Sequence, residues 1–323
     1  MPICPGCSQE VSGPPVEAAK PPYHFLRCGA CDLVFTDPMP SPDGDWYRRQ
    51  EMYLVRDTVA KPRLQWNHRQ FLRDLPGLRS KKAQPSLRTG SCSLDDQPRL
   101  LDVGCGTGEF VAAAKKAGYE ASGFDFDEEA VRTAREQLGL KEVHSGDLRR
   151  LAEFVGRFDV VTAFEVLEHS PVPKEFLEAV AAAVKPGGYL ALSVPNRERW
   201  PRFRYDWDFP PNHLTRWSRA SLTRLLEKNG FQIRRTANGW KQGESLLHQH
   251  LQFGLVTRLL HGGKKQEAAE ATGNQSSMAL ASGAYRLKSA AIRCLAVPVN
   301  IGLGLIGETG MTLYILALKK DGR

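Results

Sequence analysis

The chain has 323 residues, 41% apolar and 25% charged, with 44 Lys and Arg against 36 Asp and Glu for a net charge of +8. Such length and composition fit one large domain with an appendage, or two modest domains, and exclude a fibrous or disordered chain. The basic balance favours anionic partners (phosphates, nucleic acid, nucleotide-sugars, anionic lipid headgroups), but the basic residues are spread along the chain and form no long nucleic-acid-binding arm.

The first residues, MPICP, contain no charged region followed by an apolar stretch, so no secretory signal is expected. Next come two CxxC pairs, Cys4 with Cys7 and Cys28 with Cys31, with twenty residues between the pairs. Two tight turns carrying four thiolates are expected to make a tetrahedral structural Zn(2+) site, the separation being that of a zinc ribbon; the alternative is a pair of redox dithiols. Tyr23 to Phe35 alternates as a ribbon hairpin would, so residues 1–45 are read as the ribbon. Cys92, Cys105 and Cys294 are scattered, which argues against a secreted disulfide framework and for a reducing, cytoplasmic setting.

Residues 46–97 read as one or two helices over Trp46 to Leu75 and then a polar flexible linker, Ser80 to Pro98. From Arg99 the pattern changes to short apolar runs alternating with helical stretches. Strands are expected at 99–103, 120–126, 143–145, 158–164, 189–194, 231–236 and 311–319. Helices are expected at 109–117, 127–138, from 146 through Phe154, at 174–184 and from a Ser218 cap through Lys228, and Lys185-Pro186-Gly187-Gly188 reads as a helix stop and turn. This alternation predicts a doubly wound α/β domain with a mostly parallel sheet over 98–323, interrupted by a helical insertion, 239–310, before the last strand. The longest apolar run, 295–307, is broken by Pro298 and Asn300 and falls short of the ~20 residues of a bilayer span.

Between the first strand and helix of this domain lies LLDVGCGTGEF, residues 100–110. Gly104, Gly106 and Gly108 suit a tight turn that a ligand approaches closely, and the helix after it offers unpaired amides. The spacing is GxGxG rather than the dinucleotide GxGxxG. DVGCGTG resembles the first motif of class I S-adenosylmethionine-dependent methyltransferases, and two further acids follow in the expected order, Asp125 in GFDFD and Asp147 in Gly146-Asp147-Leu148. The resemblance covers roughly residues 98–238 and 311–320. It implies a seven-stranded Rossmann-like methyltransferase sheet and S-adenosyl-L-methionine as cofactor. It further implies that Asp102 orients the loop and the ligand amino group, that Asp125 takes the ribose hydroxyls with Phe126 on the adenine, and that Asp147 and Leu148 frame the base. The cofactor-binding set so implied is Asp102, Gly104, Cys105, Gly106, Gly108, Asp125, Phe126, Asp147, Leu148 and Phe164. Asp127 and Glu128 are read instead as acids placed favourably at a helix N-terminus.

The fourth strand ends in FEVLEH, 164–169, a segment similar to one that lines the substrate side of the cleft in many of these enzymes. His169 is the candidate general base, with Glu165 and His213 (in PPNHLTRW) beside it. Glu165, Glu168, His169 and His213 also resemble the metal set of small-RNA 2′-O-methyltransferases and of some ubiquinone-pathway O-methyltransferases, which implies a second divalent metal. The segment 202–217 adds Tyr205, Trp207, Phe209 and Trp217 among arginines, suited either to grip a ring, sugar or anionic headgroup or to close the site against water. The order CPGC, CGAC, LVF and PxP is similar to the zinc modules of bacterial methyltransferases from sugar and cell-surface pathways, which implies a structural or substrate-covering ribbon.

The function expected is methylation, with oxygen preferred, of a small molecule or a lipid- or nucleotide-linked sugar. The alternatives are an RNA or other nucleic-acid methyltransferase and a catalytically inactive binding protein. The insertion is read as a substrate lid, a dimer surface, a patch resting peripherally on a membrane, or helices buried against the domain. Oligomeric state is not legible in the sequence.

Overall fold

The computed structural model describes residues 1–40, 42, 46, 64–79, 97–199, 208–239 and 310–321. Packing divides the chain into Met1–Gly239 with Thr312–Arg323 and, as a second unit, Trp240–Met311. Most of the expected linker and insertion lie outside the described residues, as do Tyr205, Trp207, Cys92 and Cys294. Among the described residues no helix is long and apolar enough to cross a membrane.

The N-terminal module contains β1 (Glu17–Ala18), β2 (His24–Arg27) and β3 (Val34–Asp37). The β2–β3 pair is the expected hairpin, with His24 opposite Asp37 and Leu26 opposite Phe35. Then come α1 (Trp66–Arg79), β4 (Arg99–Val103), α2 (Glu109–Lys116), β5 (Glu120–Asp125), α3 (Glu128–Leu138), β6 (Val143–Ser145), β7 (Phe158–Phe164), α4 (Pro173–Ala183) and β8 (Val184–Pro195). The two-residue β9 (Thr215–Arg216), α5 (Arg219–Lys228), β10 (Phe231–Asn238) and β11 (Thr312–Lys319) complete the unit.

The main sheet has seven strands in the order β10-β11-β8-β7-β4-β5-β6. Strands β4 to β8 pair in parallel, and β11 runs antiparallel between β8 and β10. Strands buried on both faces read as continuous apolar runs because successive side chains point to opposite sides. Leu100 and Val160 join Phe71, Phe110, Val111 and Val131 in the core under α1, α2 and α3. Their neighbours Leu101 and Val161 join Phe176, Val180, Leu222 and Leu226 in the core under α4 and α5. Ser218 and Ser221 form a reciprocal capping box at the start of α5, worth about 1 kcal/mol.

The expected helix through Phe154 is present as a 3-10 helix, Leu148–Phe154. Its large apolar residues, Leu148, Leu151 and Phe154, recur every three positions, so a three-residue turn keeps all three on one side. The KPGG segment is drawn into β8 rather than forming a free turn. Val184 pairs with Phe158 and Tyr189 with Val160 across a register shift, and Gly187, at φ 73°, absorbs the irregularity.

Candidate active site

Neighbours β4 and β7 sit where the strand order reverses, the place at which open α/β sheets leave a crevice beyond the carboxyl ends of their strands. The glycine loop after β4 and the Glu165–His169 segment after β7 flank this point. Gly104, Gly106 and Gly108 have φ of 79°, 52° and 83°, the left-handed region that glycine enters without strain. A Cβ on Gly104 would stand 2.2 Å from Val166 Cγ2, so the two flanking segments touch. A Gly104→Ala substitution combines this clash with a disfavoured φ and should cost about 1–3 kcal/mol in chemical denaturation.

Asp125 braces the loop. Its Oδ2 accepts from Gly106 N at 2.7 Å and its Oδ1 from Asp127 N at 2.9 Å, and it is buried. A carboxylate has about four acceptor positions, so two main-chain bonds are compatible with ribose hydroxyls as further donors. Phe126 beside it is 52% exposed. Asp127 caps α3 by accepting from Glu129 N. Asp147 caps the 3-10 helix and is paired with Arg149, which holds its pKa down, while Leu148 is half-buried.

Asp102 is buried and accepts from Thr162 Oγ1 at 2.6 Å. Burial, with a smaller push from Asp125 and Glu109, raises its pKa to about 7. A buried acid of this kind is relieved by a cation, and the S-adenosylmethionine methionyl end carries an ammonium and a sulfonium. This donor set fits the cofactor.

Two of the expected cofactor residues face elsewhere with their side chains. Cys105 Sγ packs beneath the loop against Gly123, where a Cβ would meet it at 2.7 Å, so only the Cys105 main chain lines the turn. The Phe164 ring is committed to an aromatic cluster with Phe110 at 5.2 Å, His68 at 5.4 Å and Tyr314 at 6.4 Å between centroids.

On the other flank, Glu165 sits at φ 57°, a strained conformation for a side chain of its size. Its Oε1 accepts from Ser193 Oγ at 2.8 Å, and Ser193 Oγ accepts from Asn67 Nδ2 at 2.8 Å. Asn67 Oδ1 accepts from His68 N, which fixes the amide orientation and directs the serine proton to Glu165. Burial raises the Glu165 pKa above the usual carboxylate range.

Glu168, His169 and His213 converge, with ligand atoms within 4.8 Å of one another. Glu165 does not belong to this group. Glu168 is 1% exposed and its Oε2 has no hydrogen-bond partner among the described residues; burial and the Glu165 charge raise its pKa strongly. His169 Nδ1 donates to the Asn212 carbonyl at 2.8 Å, which leaves Nε2 on the side of Glu168, 3.9 Å from Oε1. The two imidazole rings meet edge to face at 4.9 Å. Burial lowers the pKa of both, that of His169 to about 3. Asp208, buried and paired with Arg199, stands 3.6 Å from His213 Nδ1. Two neutral imidazoles around an unpaired buried carboxylate oxygen form a donor set that fits a divalent cation.

Cys4, Cys7, Cys28 and Cys31 also converge, and none is in a disulfide. The sulfur pairs Cys4–Cys31 and Cys7–Cys28 stand 3.5 Å apart, close to the ~3.8 Å edge of a tetrahedron with 2.3 Å zinc–sulfur bonds. Burial pushes the Cys7 thiol up to about 11, a shift that a bound dication reverses, so the set fits zinc.

Sequence reasoning missed Asn67, Ser193 and Asp208. Ser193, the lone hydroxyl in the apolar run LALSV, carried a signal; Asn67 and Asp208 carried none.

Residues 66–236 match a family model described as a methyltransferase domain. Curated relatives named ubiquinone biosynthesis O-methyltransferase include one from Bordetella avium, 41% identical over 104 residues, which are 31% of this chain and 43% of the relative. Others come from Coxiella burnetii, 30% identical over 153 residues covering 41% of this chain and 65% of the relative, and from Alkalilimnicola ehrlichii, 33% identical over 155 residues covering 41% and 63%. The chain thus spans between 43% and 65% of the length of these relatives. With a matching family model, the strand order and the glycine loop, the chain belongs to the class I S-adenosylmethionine-dependent methyltransferases.

Proposed function

We propose that this protein transfers the methyl group of S-adenosylmethionine to an oxygen of a small molecule or of a lipid- or nucleotide-linked sugar, with a divalent cation held by Glu168, His169 and His213 on the acceptor side. The observation that carries the reading is the buried Glu168 carboxylate, with one oxygen unpartnered beside two neutral imidazoles. The names of the curated relatives support oxygen as the acceptor atom. Asp125 would take the ribose hydroxyls of the cofactor, Asp147 and Leu148 would border its base, and the glycine loop with Asp102 would wrap the methionyl end, Asp102 toward its ammonium. A divalent cation, when bound, would lower the pKa of the acceptor hydroxyl.

In this reading Glu165, rather than the expected His169, takes the hydroxyl proton. Its raised pKa lies nearer neutrality than a normal carboxylate, and Ser193 and Asn67 orient it. His169, with a pKa of about 3, is a weak proton acceptor but a good ligand. Closing a cleft around aligned reactants supplies most of the acceleration in such in-line transfers. The test is to incubate cell fractions with radiolabelled cofactor and purified protein. Label in a small-molecule or glycolipid fraction is expected; label confined to RNA, or no transfer despite cofactor binding, would overturn the reading.

Asp102 gives a pH prediction. Below pH 7 the free protein holds Asp102 protonated and neutral; a bound ammonium favours the carboxylate, so binding releases a proton. Affinity for S-adenosylmethionine should therefore rise with pH from 5.5 toward 7 and level off above the free-state pKa of about 7. Calorimetry in two buffers of different ionisation heat should show the released proton, and Asp102→Asn should remove both effects.

A further inference from the structure

The segment from Asp208 to Ser218 crosses the molecule as a strap between the cysteine module and the acceptor side of the cleft. Its inner edge meets the end of β7. Leu214 N donates to the Glu168 carbonyl at 2.8 Å, Thr215 Oγ1 to the Leu167 carbonyl at 3.4 Å, and the Asn212 carbonyl holds His169 Nδ1. Its outer edge is a strand partner of the cysteine module. β9 pairs with β3, Thr215 opposite Phe35 and Arg216 opposite Val34, and Thr36 N donates to the Leu214 carbonyl at 2.9 Å. One short run of backbone thus bonds to the cysteine module on one side and to Glu168 on the other.

Side chains tie the same two parts. Arg216, buried, lies 3.7 Å from the centroid of the Phe25 ring on β2, pairs with Glu17 on β1, and donates to the Asp208 carbonyl beside His213. Asp32 follows directly on Cys31 and has φ 66°. Its carboxylate accepts from Arg197, from Ser218 Oγ at 2.8 Å and from Arg27 Nε at 2.6 Å. Arg197 stands just beyond β8, where its N–H donates to the Trp217 carbonyl at 2.9 Å; Ser218 caps α5. The second knuckle therefore grips both the strap's end and the strand end beside it.

We propose that the cysteine module acts as a template that seats the strap, with Asp32 and Glu17 as positioning residues that place His213 and the Asn212 carbonyl against Glu168 and His169. The inference rests on the reading of those residues as the acceptor side. It predicts a division of labour: the module governs acceptor geometry, while the glycine loop, Asp125 and Asp147, which make none of these contacts, bind cofactor independently of it.

The test compares the full-length zinc-loaded protein with Asp32→Asn, which keeps a residue tolerant of positive φ, and with Glu17→Gln, which leaves the knuckles untouched. Zinc is counted by metal release, cofactor affinity by calorimetry and local opening by amide hydrogen exchange. Both variants should hold one zinc per chain and bind S-adenosylmethionine within about twofold of wild type, while amides at 212–218 exchange about tenfold faster, the size expected for losing a charge-assisted bond. Unchanged exchange at 212–218 in both variants overturns the proposal. So does exchange that rises equally in β4, β5 and β6, which would mark a general stabiliser, and so does a wild-type protein that takes up no zinc. A wild-type protein that binds zinc but no S-adenosylmethionine, with the variants still showing the strap effect, would overturn the functional reading instead.

Discussion

Replacing Asp125 by Ala should abolish measurable binding of S-adenosylmethionine, raising Kd by at least about a hundredfold. Two effects add. The ligand loses an ionised acceptor for its ribose hydroxyls, and hydrogen bonds to charged groups contribute about 1.5–3 kcal/mol each. The loop loses its brace, because Gly106 N and Asp127 N both donate to this carboxylate. The residue thus shapes the loop, and its loss is expected to weaken both the cradle and the grip on the ribose. Asp125→Asn separates the two, since it keeps one acceptor oxygen and the side-chain shape. It should retain a folded loop, judged by an unchanged melting temperature, and still bind at least tenfold more weakly. Calorimetry reads both, and wild-type affinity in Asp125→Ala would remove the site proposed here.

The second large effect concerns the acceptor side. Glu168→Gln and His213→Ala should leave cofactor affinity within about twofold of wild type and lower methyl transfer by about a hundredfold to ten-thousandfold, the range for losing an ion that activates the nucleophile. The glutamate variant carries the sharper test. A buried carboxylate with an unpartnered oxygen and a strongly raised pKa destabilises the metal-free fold at neutral pH. Raising an acid's pKa on folding means that the folded state takes up its proton more readily, so this group's contribution to stability falls as pH rises above the unfolded carboxylate pKa of about 4.3. A neutral Gln of the same shape should therefore melt no lower than wild type at pH 7.5, and in an electron paramagnetic resonance titration it should fail to take up the Mn2+ that wild type is expected to bind. A Glu168→Gln protein that melts well below wild type and binds Mn2+ normally would mark Glu168 as a structural residue.

Much of the fold was legible because it is encoded over a few residues. The glycines of 104–108 announce a turn since only glycine takes three left-handed conformations in so short a span. Asp127 and Ser218 announce helix starts because their side chains satisfy amides two or three residues on. β7 ends at Phe164, where its apolar run gives way to Glu165. The helix ending at Phe154 was legible, its 3-10 pitch following from the three-residue spacing of Leu148, Leu151 and Phe154, whereas KPGG joins β8 because pairing with β7, distant in sequence, overrides a local turn signal.

By itself, then, the sequence determined the alternation of strands and helices, the glycine turn with its acids, and the two cysteine pairs, since turn chemistry, capping and apolar periodicity act between near neighbours. Tertiary structure alone decided that Glu165 stands apart from Glu168, His169 and His213 and bonds to Ser193, which Asn67 orients, that Cys105 and Phe164 turn into the core, and that the cysteine module shares a sheet with the strap bearing His213. Those pairings join groups as far apart as Asn67 from Ser193 or Asp32 from Arg197. Nothing in the local preference of either partner requires the other, and only the closing of the chain around one core brings them within bonding distance.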